Sequence, residues 1–151
     1  MMELIKRNLI DLVNEINNNF NQSLDLNHIE QNPVSELQMH KILYFCFGEF
    51  YIEFKKNLFN QPNFEAWKYG PVEIDYRQSL INHFQAPEKF NITINESERL
   101  FLEKLIQKLL KLSPWDLVDI SHSSPAWINN YQADQQWSQN KISLTDLQNY
   151  Y

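Results

Sequence analysis

Glycine is nearly absent from this 151-residue chain, which holds two, Gly48 and Gly70. That scarcity excludes the glycine-rich loops that cradle phosphates: neither GxxxxGK[ST] nor GxGxxG occurs, so nucleotide binding by a standard loop is ruled out. Cysteine is scarcer still. The lone Cys46 has no intrachain partner and lies in an apolar helix-like run, where it reads as a small core residue suited to a reducing compartment. No segment approaches the roughly 18 consecutive apolar residues of a membrane span. Met1 to Asn18 mixes charges with leucines and shows no signal-peptide core, so the expected location is cytoplasmic. Basic charge is short as well, with 13 Lys and Arg against 19 Asp and Glu and a formal charge of −6. Without a basic stripe to neutralise phosphates, nucleic acid is not the expected partner. His28, His40, His83 and His122 stand at no zinc-like spacing, and there is no HExxH, CxxC or EF-hand loop, so neither a metal nor a cofactor is expected.

Aromatics are plentiful, at 10 Phe, 7 Tyr and 4 Trp. A chain of this length buries roughly two thirds of its unfolded surface and forms one domain without disulfide or metal. Ile5, Leu9, Leu12, Val13, Ile16 and Phe20 predict a first amphipathic helix ending near Asn17 to Asn19, followed by a polar connection from Asn21 to Pro33. Ser35 is an N-cap candidate for a second helix from Glu36 to about Lys55. Leu37, Lys41, Tyr44, Gly48 and Tyr51 follow one face, and Met39, Leu43, Phe47, Phe50 and Phe54 another, which predicts a central helix packed on two sides. Gly48 costs about 1 kcal/mol there relative to Ala, which close approach of a neighbouring backbone would explain.

Gly70-Pro71 forces a change of direction, with Ala66 to Tyr69 extended before it and a new element from Val72. Two extended pieces, Asn57 to Phe59 and Phe64 to Tyr69, flank Asn60 to Asn63 and predict a small β-hairpin packed on the helices. A third helix is expected over Glu73 to His83, with Phe84 on its stripe and Pro87 ending it. Asn95 with Glu98 forms a capping box before the stripe Leu102, Leu105, Ile106, Leu109 and Leu110. Ser113-Pro114 and Ser124-Pro125 each start a short helix, and Ser143 with Asp146 starts a last one running to Tyr151. The fold class is mainly α, a compact multi-helix domain with one small β-hairpin.

Two stretches invite chemistry. Asp119, Ser121 and His122 place an acid, a hydroxyl and an imidazole close together, yet catalytic triads are assembled from separate elements, and serines beside Pro125 have a sufficient role as caps. His122 is expected to close the helix begun at Pro114 and to pack or hydrogen-bond against another element, the hairpin being a candidate. Trp67, Tyr69, Trp115, Trp127 and Trp137 fall in or beside turns, where an aromatic is either a lid on the core or an interface anchor.

Lys41-Ile42-Leu43-Tyr44-Phe45, Leu58-Phe59, Glu65-Ala66-Trp67-Lys68-Tyr69-Gly70-Pro71-Val72, Asp119-Ile120-Ser121-His122-Ser123 with Pro125 and Trp127, and Ile142-Ser143 running to Tyr150-Tyr151 resemble, in order and spacing, the Panacea domain. This is the SocA-like antitoxin family, also described as phage-associated or GepA-like. The resemblance runs from about Ser35 to the C-terminus and is weakest over residues 1–34, a region of the kind that often carries partner choice. It implies a mainly helical antitoxin that neutralises a toxin encoded beside it by direct protein contact, in some members by delivering the toxin to a protease. Family members are paired with toxins of unrelated kinds. The residues this reading singles out, for partner binding or for holding the motif together, are Trp67, Tyr69, Gly70, Pro71, His122 and Trp127. No catalytic residue is needed, and the acidic surface would suit a basic toxin. Two other classes compete with it. A small hydrolase-like enzyme would use His122 as acid or base near Tyr69 and Glu65, and a DNA-binding autoregulator would need a basic helix face, which the sequence lacks. The sequence is equally compatible with a monomer and a dimer.

Overall fold

The helix α2 (Glu36–Phe54) is buried from Met39 through Gly48 and again at Phe50, and the other elements pack around it. The computed structural model describes residues 2–24, 32–82, 94–134 and 138–151, and the expectations at His28, His83, Phe84, Pro87 and Trp137 lie outside them. The start of α2 is fixed locally. Ser35 Oγ accepts from the Gln38 N–H while Gln38 Oε1 accepts from the Ser35 N–H, a reciprocal pair that satisfies two donors with no helical partner. The helix ends at Lys55, whose positive φ of 55° turns the chain away.

The first helix α1 (Leu4–Leu24) runs past the expected end at Asn17 to Asn19. Its Asn17 and Asn21 amides, one turn apart, both donate to the Asn32 carbonyl, so asparagines that mark the expected helix end lie on one face of a helix that continues to Leu24. Leu9, Leu12, Val13 and Ile16 are buried as the stripe predicts, and α1 packs against α2 and against α4 (Glu96–Leu110). Lys6 is fully buried in the same helix. Its ammonium meets Glu73 at 3.0 Å and Asp75 at 2.7 Å, which ties α1 to the hairpin region.

The hairpin lies one step further along than expected. Strand β1 (Phe64–Trp67) pairs antiparallel with β2 (Gly70–Glu73), Trp67 opposite Gly70 and Phe64 opposite Glu73, so the turn is Lys68-Tyr69 and not Asn60 to Asn63. Two causes act together. Gly70 takes φ +106°, which closes the loop, and the polar Asn60-Gln61 segment is held instead by the Glu3 carboxylate, which accepts from both of their N–H groups. Leu58 and Phe59 are buried loop residues rather than a strand. A third strand, β3 (Asn140–Ile142), pairs with the other edge of β1 and gives the order β2-β1-β3. With β2 at an edge, Pro71 costs the ladder no hydrogen bond.

Helix α3 (Ile74–Ile81) starts on the Glu73 side chain, which accepts from the Asp75 and Tyr76 N–H groups. The box at Asn95 opens α4, and its Leu102, Ile106 and Leu109 are buried. Helices α5 (Pro114–Ser121) and α6 (Pro125–Asn130) start at their prolines. Ser113 caps α5 in a box with Asp116, but Ser124 makes no cap, because its hydroxyl is paired at 2.5 Å with the buried Tyr44 hydroxyl. The last helix α7 (Leu144–Asn149), capped by Ser143, stops short of Tyr151. The Tyr151 ring lies over Gly48, where a Cβ would fall inside it, so Gly48 makes room for a side chain and not for a backbone. The described chain is mostly helical with a small antiparallel sheet packed on the helices.

Candidate functional site

Gly70 is where three distant segments meet. A Cβ there would strike Ser121 Oγ of α5 and would lie 2.7 Å from Lys41 Cε of α2, so the hairpin turn rests directly on both helices. Lys41 Nζ donates to the Pro71 carbonyl at 3.2 Å. The α5–α6 corner grips the turn from the other side. His122 caps α5 and its Nε2 donates to the Lys68 carbonyl at 3.0 Å, while Trp127 Nε1 donates to the Trp67 carbonyl at 2.9 Å. The His122 ring stacks on Trp127 with centroids 4.3 Å apart, and Trp127 stacks on Tyr131. Two successive carbonyls of the turn are thereby held by stacked rings.

Of the six residues singled out from sequence, Trp67, Gly70, Pro71, His122 and Trp127 converge on this clamp. Tyr69 points away, 49 % exposed, and meets the edge of Trp115, which is 60 % exposed, with ring centroids 5.8 Å apart. Asp119, Ser121 and His122 do not form a hydrogen-bonded chain: Ser121 Oγ donates to the Val118 carbonyl, His122 serves the turn, and Asp119 is exposed.

Beside the turn lies a cavity of about 390 Å³ between the first turns of α2, the hairpin, α3 and the residues Ser138 and Gln139 that lead into β3. Leu37, Val72, Trp67 and Tyr69 form its apolar walls, Glu36, Lys41, Lys68 and Arg77 bring the charge, and His40, Ser138 and Gln139 add uncharged polar groups. Glu36 is paired with Arg77 at 2.6 Å and with His40 Nε2 at 3.1 Å. His40 Nδ1 accepts the Glu73 N–H, so the ring proton sits on Nε2 and points at Glu36. Burial pushes His40 down to about 4, helped by the Lys41 and Arg77 cations, so the ring is neutral at pH 7. Burial would raise Glu36, but its hydrogen bonds and attraction to His40 and Arg77 outweigh that and leave its carboxyl below its ordinary value. Arg77 also lies over the Trp67 ring at 5.2 Å, and Trp67 Nε1 donates to Glu65.

Lys41 is fully buried, and burial lowers its ammonium to about 8. No carboxylate bridges to it among the described residues, in contrast to Lys6 with its two. Sequence reading missed this cavity, although a lysine inside the apolar run Met39 to Gly48 and the one-turn spacing of Glu36 and His40 were visible traces. Among the described residues no three His, Cys, Asp or Glu side chains gather to hold a metal, and no helix is long and apolar enough to cross a membrane.

The family model described as antitoxin SocA-like, Panacea domain, matches residues 39–128. No curated protein and no solved structure matches the chain. The matched stretch contains the clamp from Lys41 on α2 through the hairpin to His122 and Trp127, whereas Tyr131, α1, β3 and α7 lie outside it. The chain belongs to the SocA-like antitoxin family that carries the Panacea domain.

Proposed function

We propose that this protein neutralises a cognate toxin, encoded by a neighbouring gene, by direct contact, and that the hairpin turn is its point of attachment. The observation that carries this reading is the exposed pair Tyr69 and Trp115 on a turn whose backbone is held rigid from below. Large aromatics held in place lose little conformational entropy on binding, and such residues dominate protein interfaces. The clamp residues and the exposed pair divide the work. Trp67, Gly70, Pro71, His122 and Trp127 shape the turn, and Tyr69 with Trp115 presents the contact. No bond is made or broken in this mechanism; occlusion of the toxin's working surface suffices, and delivery to a protease would use the same attachment. The test is co-expression with the product of the adjacent gene, scoring growth and co-purification. The double variant Tyr69→Ala/Trp115→Ala is expected to stay folded and lose the complex, whereas Trp127→Ala is expected to lower stability first.

A further inference from the structure

The cavity beside the turn has a charge opposite to that of the chain. Lys41, Lys68 and Arg77 face a single lining carboxylate, Glu36, in a protein of formal charge −6. Each cation sits differently. Lys68 is exposed at the rim with its ammonium 5.4 Å from the Tyr69 ring centroid; Arg77 is half-exposed, paired with Glu36 and spread over Trp67; Lys41 is buried and donates to the Pro71 carbonyl. A buried ammonium without a bridging carboxylate is costly, and the same chain answers that cost for Lys6 with two carboxylates. At Lys41 no carboxylate of the described residues comes within bridging distance, the Glu36 charge acts only from further off, and the position borders open space. The walls between these cations are apolar and aromatic, and the volume falls within the range of clefts that take a small ligand or a few side-chain atoms. The cavity is also continuous with the exposed aromatic pair, because Tyr69 belongs to both. A partner seated on Tyr69 and Trp115 therefore covers the cavity mouth.

We propose that the cavity receives an apolar side chain carried next to a carboxylate on the toxin's contact segment, the side chain packing between Trp67, Leu37 and Val72 and the carboxylate meeting Lys68 and Arg77 at the rim. This rests on the antitoxin reading for the occupant. The contact segment is accordingly acidic at this point, whatever the overall charge of the toxin, and the field of Lys41 from beneath favours the same sign.

The groove is tested without the toxin by titrating the full chain with N-acetyl-phenylalanyl-aspartyl amide and, separately, N-acetyl-phenylalanyl-lysyl amide, following the Trp67 indole N–H resonance. The aspartyl peptide is expected to shift that resonance in the millimolar range, with binding about fivefold weaker for the lysyl peptide, as one exposed charge pair would give. Lys68→Glu is expected to abolish the preference, since it leaves two cations against two carboxylates, and the change lies on an exposed side chain and leaves the residue 68 carbonyl bonded to His122. Leu37→Trp, on the half-exposed first turn of α2, is expected to fill the groove and abolish the shift with the melting temperature retained. Absence of any shift, equal binding of the two peptides, or an unchanged preference in Lys68→Glu overturns the proposal. Growth rescue by the unaltered chain reads the antitoxin function separately, so a toxin that is neutralised equally by Leu37→Trp sinks the groove and spares the antitoxin.

Discussion

Replacing Gly70 with alanine tests the clamp where it is tightest. A Cβ residue held at φ +106° carries strain of about 1–2 kcal/mol, estimated from the left-handed region. The new methyl would also strike Ser121 Oγ and lie 2.7 Å from Lys41 Cε. Neither neighbour is loose: Ser121 donates to the Val118 carbonyl at 2.7 Å and Lys41 donates to Pro71 at 3.2 Å, so displacement breaks a buried hydrogen bond. Overpacking of this kind costs about 1–3 kcal/mol, and the reduced freedom of the unfolded alanine chain returns about 0.4–1. The net expectation is a loss of about 1–5 kcal/mol, a large part of the roughly 5–15 kcal/mol that a domain has in total. Urea unfolding followed by tryptophan fluorescence and circular dichroism reads it directly. The companion Gly70→Ala/Ser121→Ala should recover part of the loss by removing the struck oxygen. A loss below about 1 kcal/mol for Gly70→Ala, or no coupling in the double variant, would refute the packing described for the turn.

Lys6→Ala strands Glu73 and part of Asp75 in the interior and is expected to cost about 3–5 kcal/mol by thermal unfolding, while Lys6→Ala/Glu73→Gln should cost less, because the fully buried one of the two carboxylates is gone and only the partly exposed Asp75 is left without its cation; equal losses would contradict the ion-pair account. Acid should weaken the fold through His40, whose folded value of about 4 lies below its ordinary 6.5. Below pH 6.5 the unfolded chain takes up a proton that the folded ring refuses, so this stability is complete above 6.5 and is lost as pH falls towards 4, by roughly 3 kcal/mol. Glu36, Lys41 and Arg77 face the ring together with Tyr76 and the Glu73 N–H, and His40→Asn should flatten the pH 7 to 4.5 part of the urea midpoint profile; identical slopes would dispose of the assignment.

Local signals in the sequence carried most of the fold. Ser35, Asn95, Ser113 and Ser143 announced helix starts because capping is settled by neighbours three residues away. Where partners are distant, the sequence was silent. Lys6 reads as an ordinary surface lysine until Glu73 and Asp75 arrive from the hairpin side. Strand β3 has three residues and one buried side chain, Ile142, so only pairing with β1 reveals it. The hairpin turn was misplaced because Asn60 to Asn63 carries the familiar turn residues and Lys68-Tyr69 does not; the register is set by Gly70 and by the helices beneath. The clamp itself was partly legible. His122 could be read as the cap of α5 with a contact to the hairpin, but its stacking on Trp127 and the grip of Trp127 on Trp67 required the corner between α5 and α6. The cavity needs four segments at once, and no single stretch of sequence contains it.

The most direct measurement is co-expression of this chain with the neighbouring gene's product, comparing the unaltered protein with Tyr69→Ala/Trp115→Ala at matched melting temperature. The account predicts growth rescue and a co-purifying complex for the unaltered chain, and loss of both for the folded double variant. Full rescue by the double variant would contradict attachment at the hairpin turn, and failure of the unaltered chain to rescue or bind would contradict neutralisation by contact with that partner.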